Sequence, residues 1–366
     1  MNSYNRRRFL TTSAAATAAA ATGLPAAALA VQPGAEPSGA PAELPADPRY
    51  LSHLRLGLFT WPFNDKPLGW VLDYAQRLGL QMLEIGTGND PGAAHCPVDD
   101  LLADAGRRRA YRQQFSQHGL AISAFSCHGN PLDPDAAAAR RTNDVYLKTL
   151  RLAELMDVPV VVGFSGCPGD DRGGQRPNWV TSLERPEYVA LLDWQWREKV
   201  IPYWRQAAAA ARRHGRRVAL EFDPGYSVYN VATLLRLRAA VGDNIGCNLD
   251  LSNMFAQGVD GPAVVTKLGE EGALFHFHAK DAVLDPENYA INGFLDLTPY
   301  TDVLHRSWSY AIVGYGHDTL YWKRIVSALK NVGYDYTLSI EHEDPTTVPE
   351  VGVRKSAQFL KTIVLE

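Results

Sequence analysis

The stretch Phe-His-Phe-His-Ala-Lys-Asp, Phe275 to Asp281, sets two imidazoles and an ammonium into an apolar run. Successive side chains of a strand point to opposite faces. His276, His278 and Lys280 therefore share one face, and Phe275, Phe277 and Ala279 share the other. The same alternation recurs where other apolar runs end: Glu84; Ser126, His128 and Asn130; Glu221 and Asp223; Asn248 and Asp250; Ser339, Glu341 and Glu343. Carboxylates gathered at one mouth repel each other and lose solvation. A divalent cation relieves both effects. Glu221, Asp250, Glu341 and an imidazole from His276 or His278 offer three carboxylates and one nitrogen from consecutive runs. One such ion is expected, Mn2+ or Mg2+ first, with Co2+ or Zn2+ as alternatives. The set has no thiolate and leaves coordination positions open for substrate oxygens, as in a catalytic site. Separate ion pairs with lysines and arginines explain any one of these acids, but explain four successive strand ends poorly.

The elements that must position these groups are legible as alternation. Strand candidates fall at 54–60, 81–87, 120–129, 158–166, 217–225, 244–250, 274–281 and 336–344, mostly followed by amphipathic segments. Strand–helix alternation implies a parallel sheet, and eight repeats in one domain favour a closed (β/α)8 TIM barrel. Active sites of such barrels lie at the C-terminal ends of the strands, where the polar residues collect. No G-x-G-x-x-G follows the first strand, which argues against dinucleotide binding. Two connections are long, 167–192 and 282–317, and the aromatic-rich second one, after strand seven, is expected to cover the site.

The chain has 366 residues, 46% hydrophobic and 21% charged, with net charge −4. Residues 1–30 hold three arginines and no other charge, which leaves 33 basic against 40 acidic residues beyond them, or −7. This balance speaks against nucleic acid as a partner, and against a nuclease on the same barrel. Arg6, Arg7, Arg8, Phe9 and Leu10, an Ala/Thr tract and Ala28-Leu29-Ala30 follow the order of a twin-arginine export signal. Export to the periplasm or another extracytoplasmic space is expected, with residues 31–50 a flexible Pro/Ala/Gly linker and 51–366 the barrel domain. No later apolar run is long enough to span a membrane. Cys96, Cys127, Cys167 and Cys247 form no C-x-x-C and are expected as buried thiols.

Together, Leu-Glu-Ile-Gly-Thr-Gly (83–88), Ser-Cys-His-Gly-Asn-Pro (126–131), Phe-Ser-Gly-Cys-Pro-Gly-Asp (164–170), Asp-Trp-Gln-Trp (193–196), the strand-seven stretch, Val-Gly-Tyr-Gly-His-Asp (313–318) and Ser-Ile-Glu-His-Glu-Asp (339–344) resemble the xylose isomerase-like TIM-barrel superfamily of sugar isomerases and epimerases. The resemblance runs from about Leu54 to the C-terminus and looks closest to a bacterial sugar phosphate isomerase/epimerase group. It implies one divalent metal held by Glu221, Asp250, His278 and Glu341, and so selects His278 over His276. Two positions depart from the family pattern. Asp223 stands where many relatives carry a histidine two residues after the first ligand. Asn253 stands where many have the histidine of Asp-x-x-His, and it hydrogen-bonds but shuttles no proton near neutral pH.

The resemblance implies a metal-dependent sugar isomerase or epimerase that abstracts an α-proton from a keto-sugar through a metal-bound enediolate. Glu221 would remove the proton and Glu341 return one. One alternative is a lyase that eliminates the aglycone of a 3-keto-glycoside, with His128 as acid or base. Another is a catalytically weak sugar-binding or partner subunit. Substrate contacts are expected from Glu84, Asp223, Asn253, Lys280, Trp61, Arg306 and His317, with Trp308, Tyr310 and Tyr315 as aromatic platforms. Asp318 reads as the N-cap of the next helix. The partner is a small-molecule carbohydrate, and self-association into a homo-oligomer is compatible with the sequence.

Overall fold

A computed structural model describes residues 53–364. The segments read as export signal and linker lie outside the described residues. Ten strands are present among the latter: β1 (Arg55–Phe59), β2 (Met82–Gly86), β3 (Ala121–Ser126), β4 (Val160–Gly163), β5 (Arg217–Glu221), β6 (Ile245–Asp250), β7 (Leu274–Ala279), β8 (Asp281–Leu284), β9 (Trp308–Ala311) and β10 (Thr337–Ile340). Eight of them close a parallel barrel in the order β1-β10-β7-β6-β5-β4-β3-β2, with helices in the connections. The expected TIM barrel is therefore the fold. Every residue of β4, Val160 to Gly163, is buried, as strands covered on both faces require.

Side-chain parity divides the core. Val161, Val218, Leu220 and Phe125 join the large cluster under the helices. Ala124, Val160, Val162 and Ala219 form a small cluster on the opposite parity, inside the barrel. Phe275 belongs to that inner cluster and Phe277 to the outer one, so the expectation that both share a face fails. The register explains it. Cys247 pairs with Leu274 but Asn248 pairs with His276, leaving Phe275 as an extra residue. A bulge of this kind turns one side chain away from the simple alternation. Gly246 opposite has no side chain, and a Cβ there would strike the Phe275 ring. A second irregularity between Leu83/Glu84 and Ile122/Ala124 bypasses Ser123.

The long connection after β7 is an ordered excursion. β8 and β9 pair antiparallel, Asp281 opposite Ala311 and Leu284 opposite Trp308. The helix Pro286–Asn292 lies between them. Asp281 fixes the return by accepting backbone N–H bonds from Gly314 (3.0 Å), Gly316 (3.3 Å) and His317 (3.1 Å). Asp318 then caps the helix Thr319–Asn331 through Tyr321 N at 2.8 Å. After β4, the helix Pro186–Trp194 widens into a π turn over Gln195–Val200, and Gln195 Nε2 donates to the carbonyls of Gly169 (2.9 Å) and Asn178 (2.7 Å). All four cysteines are buried and free. No helix among the described residues is long and apolar enough to cross a membrane.

Candidate metal centre

Glu221 ends β5, Asp250 ends β6, His278 lies on β7 and Glu341 follows β10 directly. Asp250 and His278 are register partners, as are His278 and Ser339. Inward parity on neighbouring strands thus brings the four groups together, each buried, with one ligand atom apiece within 4.8 Å of the others.

His278 is oriented from behind. Its Nε2 lies 2.8 Å from Glu84 Oε2, which makes Nε2 the proton-bearing nitrogen. Nδ1 faces Glu341 Oε2 at 3.0 Å and Glu221 Oε2 at 3.3 Å, but out of line, so this buried atom has no hydrogen-bond partner. An orphaned imidazole nitrogen facing three carboxylates fits a divalent cation, as does the donor set. Without the ion, burial works against a charge on His278. The carboxylates of Glu84, Glu341 and Glu221 outweigh it and hold the imidazole well above its usual range. Burial pushes Asp250 up, against the pull of Lys280.

The ligand oxygens are held on their other sides. His128 Nε2 and Asn248 Nδ2 each lie 2.9 Å from Glu221 Oε2. Burial opposes a charge on His128, but Glu221 raises the imidazole above its ordinary value. Ser252 donates to Asp250 Oδ1 through N (2.9 Å) and Oγ (2.7 Å). Trp61 Nε1 donates to Glu341 Oε1 at 3.3 Å. Lys280 Nζ sits 2.8 Å from Asp250, 2.8 Å from Glu341 and 2.5 Å from Glu343, and 4.3 Å from the centre of the Tyr310 ring. Asn253 is 3.4 Å from Glu221 Oε1 and from Asp250 Oδ2, and accepts from Tyr310 Oη at 2.7 Å.

A cavity of about 220 Å3 opens above this cluster. Of the residues singled out in the sequence, Glu221, Glu341, His128, Asp223, Asn253, Lys280, Trp61 and Tyr310 line it. Asp223 is pushed well above the carboxylate range, by burial first and by the Glu221 charge second. Five of the expected substrate contacts do not line the cavity. Glu84 is fully buried beneath His278, bonded to Ser126 and Ser339, and does not reach the cavity. Arg306 turns into its own loop, with Nε donating to Trp308 O at 2.9 Å, Nη1 to Thr298 O, and the guanidinium stacked on Tyr300. His317 bonds Asp281 at 2.7 Å and packs on Phe255 and Tyr321. Trp308 packs among Phe294, Tyr300 and Tyr310, and Tyr315 is exposed beside Lys355.

The inward-facing strand ends named in the sequence also include Glu343, which lines the cavity, and Asn248, which bonds Glu221, though sequence reasoning gives neither a role. It leaves Asp90 out of the site. Asp90 had no signal: the turn through Asn89, at φ 54°, carries it to the cavity rim, where its backbone N bonds His128 O.

The family model for the xylose isomerase-like TIM barrel matches residues 72–363. The Bacillus subtilis (strain 168) protein YfiH is 36% identical over 317 residues, 86% of this chain and 99% of that protein. Two solved structures are similar in fold. The IOLI protein with a binding zinc atom has a TM-score of 0.58 at 16% identity, over 85% of this chain and 98% of that one. An L-ribulose 3-epimerase has a TM-score of 0.56 at 16% identity, over 85% and 94%.

Proposed function

Because the chain belongs to the xylose isomerase-like TIM-barrel family, we propose that it is a metal-dependent sugar isomerase or epimerase that moves a proton at the carbon beside a sugar carbonyl. The observation that carries this reading is the convergence of Glu221, Asp250, Glu341 and the unpartnered Nδ1 of His278 under an open cavity. A divalent ion held there would supply Lewis acidity toward a sugar's carbonyl and adjacent hydroxyl oxygens. The residues do the rest. Glu221 and Glu341, separated around the barrel by β6 and β7, both line the cavity. Glu221 takes the proton, with His128 steadying the same carboxylate. Glu341, held by Trp61 and Lys280, returns one from its own side. Phe59, Phe164 and Tyr310 pack against the C–H faces of the ring and keep bulk water away. Supporting analogies are the zinc in the IOLI structure and the epimerase of the same fold.

The test is metal content of protein purified without chelator, with Glu341→Ala and Asp250→Ala beside it, followed by a search for carbon-bound deuterium in keto-sugars incubated in D2O. One ion per chain lost in both variants, with deuterium uptake only when it is loaded, is the expected result. Failure to take up Mn2+, Mg2+, Co2+ or Zn2+ would overturn the reading. Sugar binding without exchange would leave a sugar-binding subunit instead.

A second reading, elimination of an aglycone from a 3-keto-glycoside, draws on His128. It is a second proton-carrying group at the cavity wall, 2.9 Å from Glu221. Release of aglycone from a 3-keto-glucoside in the same assay separates it from simple epimerisation.

A further inference from the structure

The excursion after β7 carries its aliphatic side chains on the outside. Ile291 is 80% exposed, Leu295 58%, Leu297 93%, Tyr300 53% and Leu304 82%, and the helix Pro286–Asn292 has no buried residue. The segment is nonetheless held together from within. Phe294 and Tyr300 both pack on Trp308, Tyr300 stacks on Tyr310, and the Arg306 guanidinium lies over Tyr300 at 4.0 Å. Asn288 Nδ2 donates to Leu304 O at 3.1 Å and ties the helix to the end of the loop. The rings fill the inside of this knot of chain, which leaves the aliphatic groups to solvent. The five exposed residues present roughly 700 Å2, more than the 300–600 Å2 of the largest patch on a typical monomer and close to the 800 Å2 per partner that a stable complex buries.

The charges of the excursion are spent internally. Asp285 accepts the N–H groups of Glu287 and Asn288 at 3.1 and 2.8 Å. Asp296 accepts those of Thr298 and Ser307 at 2.9 and 2.7 Å. Asp302 pairs with His305 at 2.7 Å. Arg306 donates to carbonyls of its own loop, and residues 281–311 hold no lysine. Such a face suits neither a partner recognised by charge nor an anionic membrane, whose interfacial segments carry Lys and Arg. It suits itself. A twofold interface sets one patch against an identical patch, so aliphatic groups meet aliphatic groups and no complementary charge is needed.

We propose that this face is the interface with a second copy of the chain, formed by Ile291, Leu295, Leu297, Tyr300 and Leu304 of each. Tyr300 stacks on Tyr310, and Tyr310 lines the cavity above the metal centre. The second copy therefore stands beside the cavity rim, one aromatic layer away. The proposal is independent of the reaction that the cavity carries out.

The test is sedimentation velocity of the whole protein. A dimer is expected at about 10 µM, since interfaces of this size hold from micromolar to picomolar concentrations. The double variant Leu297→Asp with Leu304→Asp sets carboxylates into the apolar seam. It is expected to weaken dimerisation at least about 100-fold and to leave the circular dichroism unchanged. Leu183→Asp, at an exposed leucine in the connection after β4, is expected to leave the dimer intact. Hydrogen exchange needs no variant: dilution of the parent protein is expected to speed exchange within 286–307 and nowhere else. A parent protein that is monomeric at that concentration would overturn the proposal. So would a dimer that survives the double variant, one lost equally in Leu183→Asp, or dilution-dependent exchange on another face. A monomer that sediments with phosphatidylglycerol vesicles through this segment would also overturn it, and would give the face to a membrane.

Discussion

Glu84 Oε2 stands 2.8 Å from His278 Nε2, with both side chains fully buried. The carboxylate accepts the Nε2–H hydrogen bond and so leaves Nδ1 as the nitrogen that faces Glu221 and Glu341. Such a carboxylate behind a histidine ligand fixes the ring's tautomer and direction. Glu84 is itself held by Ser126 and by Ser339 Oγ at 2.8 Å. Burial raises its pKa, but His278 and His276 pull it down to about 2, so it stays ionised.

Glu84→Gln is therefore expected to weaken Mn2+ binding roughly 10- to 100-fold, the range for loss of a group that orients a ligand. The amide keeps the size but not the charge. Calorimetric titration with Mn2+ measures it, with circular dichroism to show that the barrel is intact. Unchanged affinity would remove Glu84 from the metal centre.

Metal affinity is also expected to rise with pH. In the ion-free protein the surrounding carboxylates hold His278 protonated well above its usual range, and burial holds Asp250 up. A bound ion must displace those protons, so lowering the pH favours the ion-free form. The expected result is Mn2+ binding that weakens from pH 8 to pH 6, with proton release visible as heats that depend on the buffer's ionisation enthalpy. Affinity independent of pH would show that Nδ1 is free of a proton before the ion arrives.

Lys280→Met separates two effects of opposite sign. Lys280 is 2% exposed and bridges Asp250, Glu341 and Glu343. Removing one partner of a buried charge cluster costs about 3–5 kcal/mol, because the rest stay buried without compensation. The ion-free variant is expected to melt well below the parent. Mn2+ is then expected to raise its melting temperature by more than it raises the parent's, since the ion becomes the only cation in the cluster. Equal Mn2+-induced shifts would mean that Lys280 and the ion do not share these carboxylates.

The barrel and the clustering of acids at its mouth were legible for the same reason. Parallel strands covered on both faces read as short apolar runs, and a period of two then assigns each polar end residue to the inside. That logic carried Glu221, Asp250 and Glu341 and left His276 and His278 equal; the family resemblance chose His278. The logic of alternation misplaced Phe275, because one inserted residue shifts the register and sequence carries no mark of a bulge whose partner is an ordinary glycine. It also misassigned Arg306 and His317. Both sit in the β7 excursion, where side-chain direction depends on a hairpin and a carboxylate, Asp281, that binds several backbone groups at once. Glu84 satisfied parity yet ended too deep, one layer below the cavity, because alternation gives the face and not the height along the barrel axis.

Asn253 and Tyr310 are expected to act as one unit. Asn253 is 2% exposed. Its Nδ2 donates to Phe222 O at 3.1 Å and approaches Glu221 and Asp250 at 3.4 Å each, while its Oδ1 receives the Tyr310 hydroxyl at 2.7 Å. Through this bond the tyrosine fixes which way the amide points, while its ring packs on Lys280 Nζ at 4.3 Å. Tyr310→Phe removes one buried hydrogen bond and is expected to cost about 1 kcal/mol of stability. Asn253→Ala removes the same bond and leaves the Phe222 carbonyl unpaired, and is expected to cost more, about 2 kcal/mol, with a measurable loss of Mn2+ affinity. If Tyr310 works through Asn253, the double variant costs little more than Asn253→Ala alone, a coupling on the order of 1 kcal/mol between touching groups. Urea melts of the four proteins in Mn2+ and in chelator measure the cycle. Additive losses would assign Tyr310 to the cavity wall alone and leave the orientation of Asn253 to the Phe222 carbonyl.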